Sequence, residues 1–322
     1  MLYLNDTHIA ACGTNWRGLV ERIRCTAKLL TTNDYSQPVK PYLRYNKPAN
    51  RIIAMPAYIG GDHPGAGIKW IASFPDNIRA GISRAHSVII LNDVNSGKPL
   101  CTINAASVSS IRTASVSGLM IDEYLSAGSR RQLTAGIIGF GPIGRMHLQM
   151  LEALFGDRFD QYLVYDLLPE RISGIPEPLR KKVRVMDSWQ DAYLPADVFI
   201  TCTVSSERYI NLPPRRGSLQ MNVSLRDYMP EYVQYVDLMI VDDWKEVCRE
   251  NTDVEQMHLQ CGLQPEHTIS IGDLVCNNKL ANADQDQVIM FNPMGMAVFD
   301  ITTAGWFYKL ALAEHRGVYL DD

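Results

Sequence analysis

Leu133-Thr-Ala-Gly-Ile-Ile-Gly139-Phe-Gly141-Pro-Ile-Gly144 sets the architecture of the residues around it. Residues 133–138 form a short apolar run and predict a buried strand. Gly139, Gly141 and Gly144 follow as G-x-G-x-x-G, and Ile143, His147, Leu148, Leu151 and Leu154 then recur at helical spacing. In such a strand–turn–helix the first glycine permits the tight turn and the second lets a pyrophosphate approach the backbone. The third lets helix and strand pack closely. The helix start, at Pro142 and Ile143, offers unpaired N–H groups and a positive dipole end to phosphates. A second apolar strand at 162–165 ends in Asp166, 22 residues after Gly144, where an acid hydrogen-bonds ribose hydroxyls. An ordinary strand–turn–helix followed by a chance acid is the plainer alternative. The context on both sides of the glycines favours a dinucleotide site.

Downstream of this unit strands and helical segments keep alternating. Further strands are expected at 182–186, 198–202, 219–223, 238–241 and 288–291. Alternation of this kind implies a doubly wound parallel sheet with crossover helices, the Rossmann-type α/β fold. Residues 251–287 are polar and predict loops and short helices, and a last helix is expected over about 294–315. Upstream the pattern is different. An expected strand at 1–4 and an amphipathic helix at 15–33 precede strands at 41–45, 51–58, 67–73, 87–91 and 100–104. A helix capped by Ser107 then runs to about Ser126. This block reads as a strand-rich α+β domain, with a linker at 126–131.

Composition removes several classes of function. The 322 residues suffice for two domains, and 46% hydrophobic content supplies globular cores. A net charge of -4 with no Lys/Arg run gives no electrostatic support for a nucleic-acid partner or a membrane surface. Seven scattered cysteines without C-x-x-C argue against a disulfide framework and a metal site, and fit a reducing compartment. No apolar run approaches the ~20 residues of a membrane span. The N-terminus lacks a basic region followed by an apolar one, so a cytoplasmic protein is expected.

Several side chains stand where chemistry is possible. Arg44, Lys69 and Arg112 are cations in apolar settings, two on expected strands and one on a helix of small and apolar residues. Each either pairs with a buried acid or awaits an anionic ligand. Three in one block favour carboxylate recognition, to which the arginine fork is matched. Asp227 and Thr201-Cys202-Thr203 follow strands of the alternating block, where ligands of doubly wound sheets sit. Asp227 is therefore a candidate general acid or base, against the alternative of a loop acid without a role. Cys202 has no neighbouring His in the sequence and reads as a packed small residue rather than a nucleophile. His63 reads as a solvated loop residue, and Asp242–Asp243 as a strand end followed by a helix cap.

In order and spacing these pieces resemble the ornithine cyclodeaminase/mu-crystallin family. The resemblance rests on Arg44, the Met55–Pro56 step, Gly67-Ile-Lys69, Ile111-Arg112-Thr113-Ala114, the glycine loop, Asp227 and Gly295-Met-Ala-Val-Phe-Asp300. It implies a homodimer in which residues 1–128 and 300–322 bind substrate and dimerise while 129–299 bind NAD. It assigns Arg44, Lys69, Arg112 and Met55 to an amino-acid substrate, and Asp227 with Lys69 to proton transfer. To NAD it assigns the loop residues Gly139, Gly141, Pro142, Ile143 and Gly144 together with Asp166, Thr113, Thr201, Cys202 and Thr203.

Runs such as Ile59-Gly-Gly-Asp-His63 and Val241-Asp-Asp-Trp244 point to one branch of the family. That branch oxidises N-(1-amino-1-carboxy-2-ethyl)-glutamate with NAD and yields 2,3-diaminopropionate and 2-oxoglutarate, for siderophores or peptide natural products. Cyclodeaminases carry a Glu three residues before the Pro of the Met-Pro step, where this chain has Ile53. A substrate rich in carboxylates is therefore expected rather than ornithine. Cyclodeamination or ketimine reduction remains the second reading. A non-catalytic ligand carrier is the third, which intact Lys69, Arg112 and Asp227 disfavour. The glycine loop departs from many members of the family at Pro142 and Ile143.

Overall fold

The computed structural model describes residues 1–47, 49–128, 131–173, 175–281 and 284–321. In chain order it opens with β1 (Leu2–Asn5), α1 (Asp6–Cys12), α2 (Trp16–Leu29), β2 (Tyr35–Ser36) and β3 (Tyr42–Arg44). Next come β4 (Arg51–Ile59), β5 (Gly65–Ser73), β6 (Ala85–Asn92), β7 (Pro99–Asn104) and α3 (Ala106–Ser126). The alternating part holds β8 (Leu133–Ile138), α4 (Pro142–Phe155), β9 (Phe159–Tyr165), α5 (Glu177–Arg180), β10 (Val183–Val185), α6 (Trp189–Tyr193) and β11 (Val198–Thr201). It continues through β12 (Leu219–Met221), β13 (Leu238–Val241), α7 (Trp244–Val247), α8 (Asp253–Cys261), β14 (Thr268–Ser270), α9 (Ile271–Asn277) and β15 (Ile289–Asn292). The chain closes with α10 (Ala297–Ala313) and β16 (Val318–Tyr319).

These elements form two compact units, Met1–Ser115 with Gly295–Asp322, and Val116–Met294. The first change of unit falls inside α3, not in the expected linker at 126–131, of which Ser129 and Arg130 lie outside the described residues. α3 runs on unbroken past it to Ser126. The second change comes at Gly295, just ahead of α10, rather than at residue 300.

In the first unit the sheet order is β16-β1-β7-β6-β5-β4-β2, with β3 also on β4. β1 runs parallel to β7, and the other pairs are antiparallel. Strand alternation sends Met55, Lys69 and Ile89 to one face. α10 packs on β4 and β5 at that face, and α2 packs on α10 through the expected apolar stripe, with Trp16, Leu19, Val20, Ile23 and Ala27 buried. α1 gave little sequence signal, since Ile9 is its one buried residue. Ser107 lies within the first turn of α3 rather than at its cap, and its Oγ donates to Asp6 Oδ1 at 2.5 Å.

The second unit is built on a parallel sheet ordered β10-β9-β8-β11-β12-β15-β13-β14. Its first five strands, counted from β8, have the order 3-2-1-4-5, the first three being one mononucleotide-binding half. The chain reverses direction across the sheet between β8 and β11, and the crevice beyond their carboxyl ends is where such folds hold ligands. β8, β11, β12 and β15 are buried along their whole length, as central parallel strands must be. The polar stretch 251–287 contains α8 and α9, short helices as expected, and also the edge strand β14, which sequence reasoning did not find.

Candidate active site

In the first unit β5, α3 and α10 bring three charges together. Lys69 is 1% exposed, Arg112 7% and Asp300 0%. Lys69 Nζ and Arg112 Nε both donate to Asp300 Oδ1, at 3.0 and 2.7 Å. Lys69 also donates to Ser109 Oγ at 2.8 Å. Burial, chiefly, pulls the Lys69 ammonium down to about 8, with Asp300 opposing and Arg112 and Lys40 adding to the fall. Burial alone would raise the Asp300 carboxyl, but Arg112 and Lys69 hold it below the usual carboxylate range.

Two cations thus share one carboxylate oxygen and leave an excess of one positive charge. The terminal nitrogens of Arg112 make no hydrogen bond among the described residues, and neither does Asp300 Oδ2. A guanidinium held by Nε with its terminal edge unused is prepared to receive a carboxylate. Met55 faces Lys69 across the β4–β5 ladder. Lys40 is buried at the same place and donates to Gly295 O at 2.8 Å.

Arg44 does not join this cluster. It is exposed, lies opposite Arg51 on β4, and stands over the Tyr42 ring at 5.3 Å. The apolar setting expected for it is absent, because β3 is a short strand with only β4 beside it. Thr113 lies on α3, where its Oγ1 donates to Ser109 O at 2.9 Å.

The second unit carries the glycine loop. Gly139 has φ +84°, and a Cβ there would sit 2.5 Å from Cys202 O. A Cβ on Gly144 would sit 2.2 Å from Gly139 O, so this glycine is what lets α4 start against the turn. Around Gly141, the N-cap of α4, the space is open, and no side chain caps the helix. Pro142 and Ile143 form its first turn. Asp166 directly follows β9 and is buried, accepting from Phe140 N at 2.6 Å and Leu168 N at 2.9 Å. Arg171 Nη1 stands 3.8 Å from its other side. An uncapped helix start with open space, beside an acid fixed by backbone donors, fits a dinucleotide.

Beyond β11, Thr203 Oγ1 donates to Asp227 Oδ1 at 2.5 Å, and Ser224 Oγ donates to Oδ2. Asp227 is fully buried. The Tyr209 phenol is driven upward, by burial first and by the Asp227 carboxylate second, and stays protonated. Contrary to the sequence reading, Cys202 does have a histidine beside it, with His147 Nδ1 at 3.8 Å. α4 and the end of β11 meet there, a proximity that no linear spacing announces. Burial pushes the thiol up and the imidazole down to about 4, so both are neutral and no thiolate forms. His147 instead links α4 to α3, with Nδ1 on Ile143 O and Nε2 on Ser117 Oγ, each at 2.8 Å. Asp243 caps α7, as its sequence position suggested.

Sequence reasoning missed Asp300, Lys40, Ser109 and Tyr209 as site residues. For Asp300 a signal was present, since it is a lone acid between Ala-Val-Phe and Ile at the apolar start of its helix. Among the described residues no cluster of His, Cys, Asp and Glu could hold a metal, and no helix is long and apolar enough to cross a membrane.

Comparison with known proteins follows the same lines. N-((2S)-2-amino-2-carboxyethyl)-L-glutamate dehydrogenase of Staphylococcus aureus is 34% identical over 100% of this chain and 98% of its own. A Delta(1)-pyrroline-2-carboxylate reductase of Bacillus cereus is 25% identical over 94% of each chain. The solved structure of Thermococcus litoralis Delta(1)-pyrroline-2-carboxylate reductase, in complex with NADH and L-proline, superposes with a TM-score of 0.89. It covers 99% of this chain and 100% of its own at 22% identity, and so speaks for the fold. The model of the ornithine cyclodeaminase/mu-crystallin family matches residues 19–212. With a family match over more than half its length and a full-length relative at 34% identity, the chain belongs to the ornithine cyclodeaminase/mu-crystallin family.

Proposed function

We propose that this protein is an NAD-dependent oxidoreductase acting on a C–N bond of an amino acid. The substrate we assign is N-(1-amino-1-carboxy-2-ethyl)-glutamate, cleaved oxidatively to 2,3-diaminopropionate and 2-oxoglutarate for a siderophore or peptide product. The observation that carries the reading is the unused Arg112 edge beside Lys69, with both cations on a single oxygen of Asp300. Such a surplus of buried positive charge calls for an anionic ligand. Ile53, half-buried on β4, offers nothing to a distal ammonium, which counts against ornithine. The Staphylococcus aureus relative bears the name of this activity.

In this reading Arg112 and Lys69 hold a substrate carboxylate. The residues around Gly141 and the Asp166 carboxylate hold the pyrophosphate and the adenosine ribose. NAD, when bound, supplies the hydride acceptor for the Cα–H of the glutamate part. Asp227, oriented by Thr203 and Ser224, takes the proton from the substrate's secondary amine as the carbon–nitrogen double bond forms. It returns that proton to the nitrogen as water adds to the carbon, and so is free to take one from the water. Lys69, near 8, is able to exchange a proton at neutral pH and assists the collapse to amine and ketone. The balance is one adduct, one NAD and one water to two products, NADH and a proton.

The test is absorbance of NADH at stoichiometric yield, with both products identified by mass. NAD is expected to exceed NADP in kcat/KM by about 10-fold or more, since the Asp166 carboxylate repels a 2'-phosphate. Proline formed from ornithine without net NADH would overturn the assignment.

The homodimer belongs to the same proposal. On the sheet face away from α10, Ile52, Tyr58, Ile68, Trp70, Val88 and Ile90 form an apolar surface, with Trp70 44% exposed. An apolar sheet face of this extent is a docking surface, here for a second copy. Light scattering should give twice the chain mass, and Trp70→Glu should shift it to the single chain. A wild-type monomer at micromolar concentration would sink the idea.

A further inference from the structure

Asp253, the first residue of α8, is fully buried and has had no part in the chemistry so far. It is nevertheless the hub of the loop that carries Asp227. Its Oδ2 accepts from Asp227 N, Tyr228 N and Asn222 Nδ2, each at 3.1 Å. Its Oδ1 accepts from Arg208 Nε at 2.7 Å, and Arg208 Nη2 reaches on to Asn251 O at 2.6 Å. Its own N–H donates to Leu225 O at 2.8 Å. Leu225 has φ +62°, a left-handed conformation that a leucine adopts only when its surroundings impose it. Asn222 Oδ1 fixes it from the other side, accepting Leu225 N at 3.0 Å. The carbonyl of Asp227 is held too, by Tyr209 N at 2.9 Å and Ile210 N at 2.8 Å.

We infer that Asp253 is the positioning residue for Asp227: by taking up two successive backbone N–H groups of the 224–228 loop and pairing with Arg208, it fixes the direction in which the Asp227 carboxylate points. This rests on the proton-transfer role proposed for Asp227. The chemistry requires a carboxylate and no other group. Burial pushes Asp253 up to about 6 against the pull of Tyr228 N–H, Arg208 and Asn222, so at neutral pH it is ionised and accepts on both edges. An asparagine in its place has one accepting edge and one donating edge. If the oxygen faces the loop, the amide meets Arg208 donor to donor. If it faces Arg208, the amide meets two backbone N–H groups. Either way the loop loses its anchor while shape and volume are kept.

The experiment is a double-mutant cycle. Asp253→Asn is expected to lower kcat by about 10²-fold, the scale of an ångström-sized misplacement of a reacting group, with KM for NAD unchanged. Asp227→Asn with Asp253→Asn should be no slower than Asp227→Asn alone, because Asp253 acts only through Asp227. Losses that multiply would overturn the inference. Arg208→Gln, at a partly exposed position, is the second variant should Asp253→Asn fail to fold, and the same non-additivity is expected of it. Hydrogen exchange of the wild type and the variants gives a reading that needs no substrate. The amides of Asp227 and Tyr228 should exchange at least about 10-fold faster in the variants, while those of β8 stay protected. Unchanged protection at those two amides would overturn the anchor. Should Asp227→Asn itself retain turnover, the proton-transfer reading fails, and exchange still decides whether Asp253 holds the loop.

Discussion

Asp227→Asn is expected to lower kcat by ~10²–10⁴-fold, the usual contribution of a positioned acid–base group, with NAD affinity almost unchanged. The substitution conserves size and leaves acceptor capacity for Thr203 or Ser224, so the surrounding loop keeps its shape. What it removes is the ability to take a proton from the amine and later from water. Steady-state kinetics with a fluorescence titration of NADH binding separates the two effects. Turnover within a factor of about three of wild type would reduce Asp227 to a structural loop residue.

The second large effect concerns stability. Asp300→Asn is expected to cost about 3–5 kcal/mol, since it leaves Lys69 and Arg112 as buried charges without a counterion. Urea unfolding should show the loss in the midpoint, and a shift of under about 1 kcal/mol would mean that the two cations find other partners. Lys69 adds a pH signature. Its folded value of about 8 lies below the ordinary 10.5, so between them the unfolded chain binds more protons. Wild-type stability attributable to Lys69 therefore rises from pH 8 towards 10.5, and the full penalty, roughly 3 kcal/mol, applies below 8. In Asp300→Asn, which removes the group opposing the fall, that rise should begin at a lower pH.

The fold was legible wherever local signals and long-range pairing agree. The glycine loop declared itself because one backbone geometry demands Gly139 and Gly144, and the regular alternation after it leaves few topologies besides a doubly wound sheet. Strands β4 to β7 were legible from β-branched and alternating residues between turn signals. The change of unit inside α3 was not, since a helix carries no mark of which unit it serves. β14 was invisible for another reason: three half-buried residues at a sheet edge have no periodicity to read. In the site, Lys69, Arg112 and Asp227 stood out as charges in apolar or strand-end contexts. Their partners did not, because Asp300 lies 231 residues from Lys69, and the proximity of His147 to Cys202 exists only once α4 is folded. Arg44 shows the converse risk, since apolar neighbours in sequence did not make a buried site.

The distance between Lys69 and its counterion also bears on how the chain is made. Asp300 leaves the ribosome 231 residues after Lys69. At ~5–20 residues per second, that delay is on the order of 10–50 seconds. During that time every strand of the first sheet except the edge strand β16 has been synthesised, but α10, which covers one face of β4 and β5, has not. The nascent first unit must wait, with an apolar sheet surface uncovered and two cations uncompensated, while the whole of the second unit emerges. The second unit is contiguous and can complete its sheet first. Dependence on chaperones that shield nascent chains should therefore concentrate in residues 1–115, and a released chain truncated before residue 300 should present a folded second unit tethered to an unfinished first one.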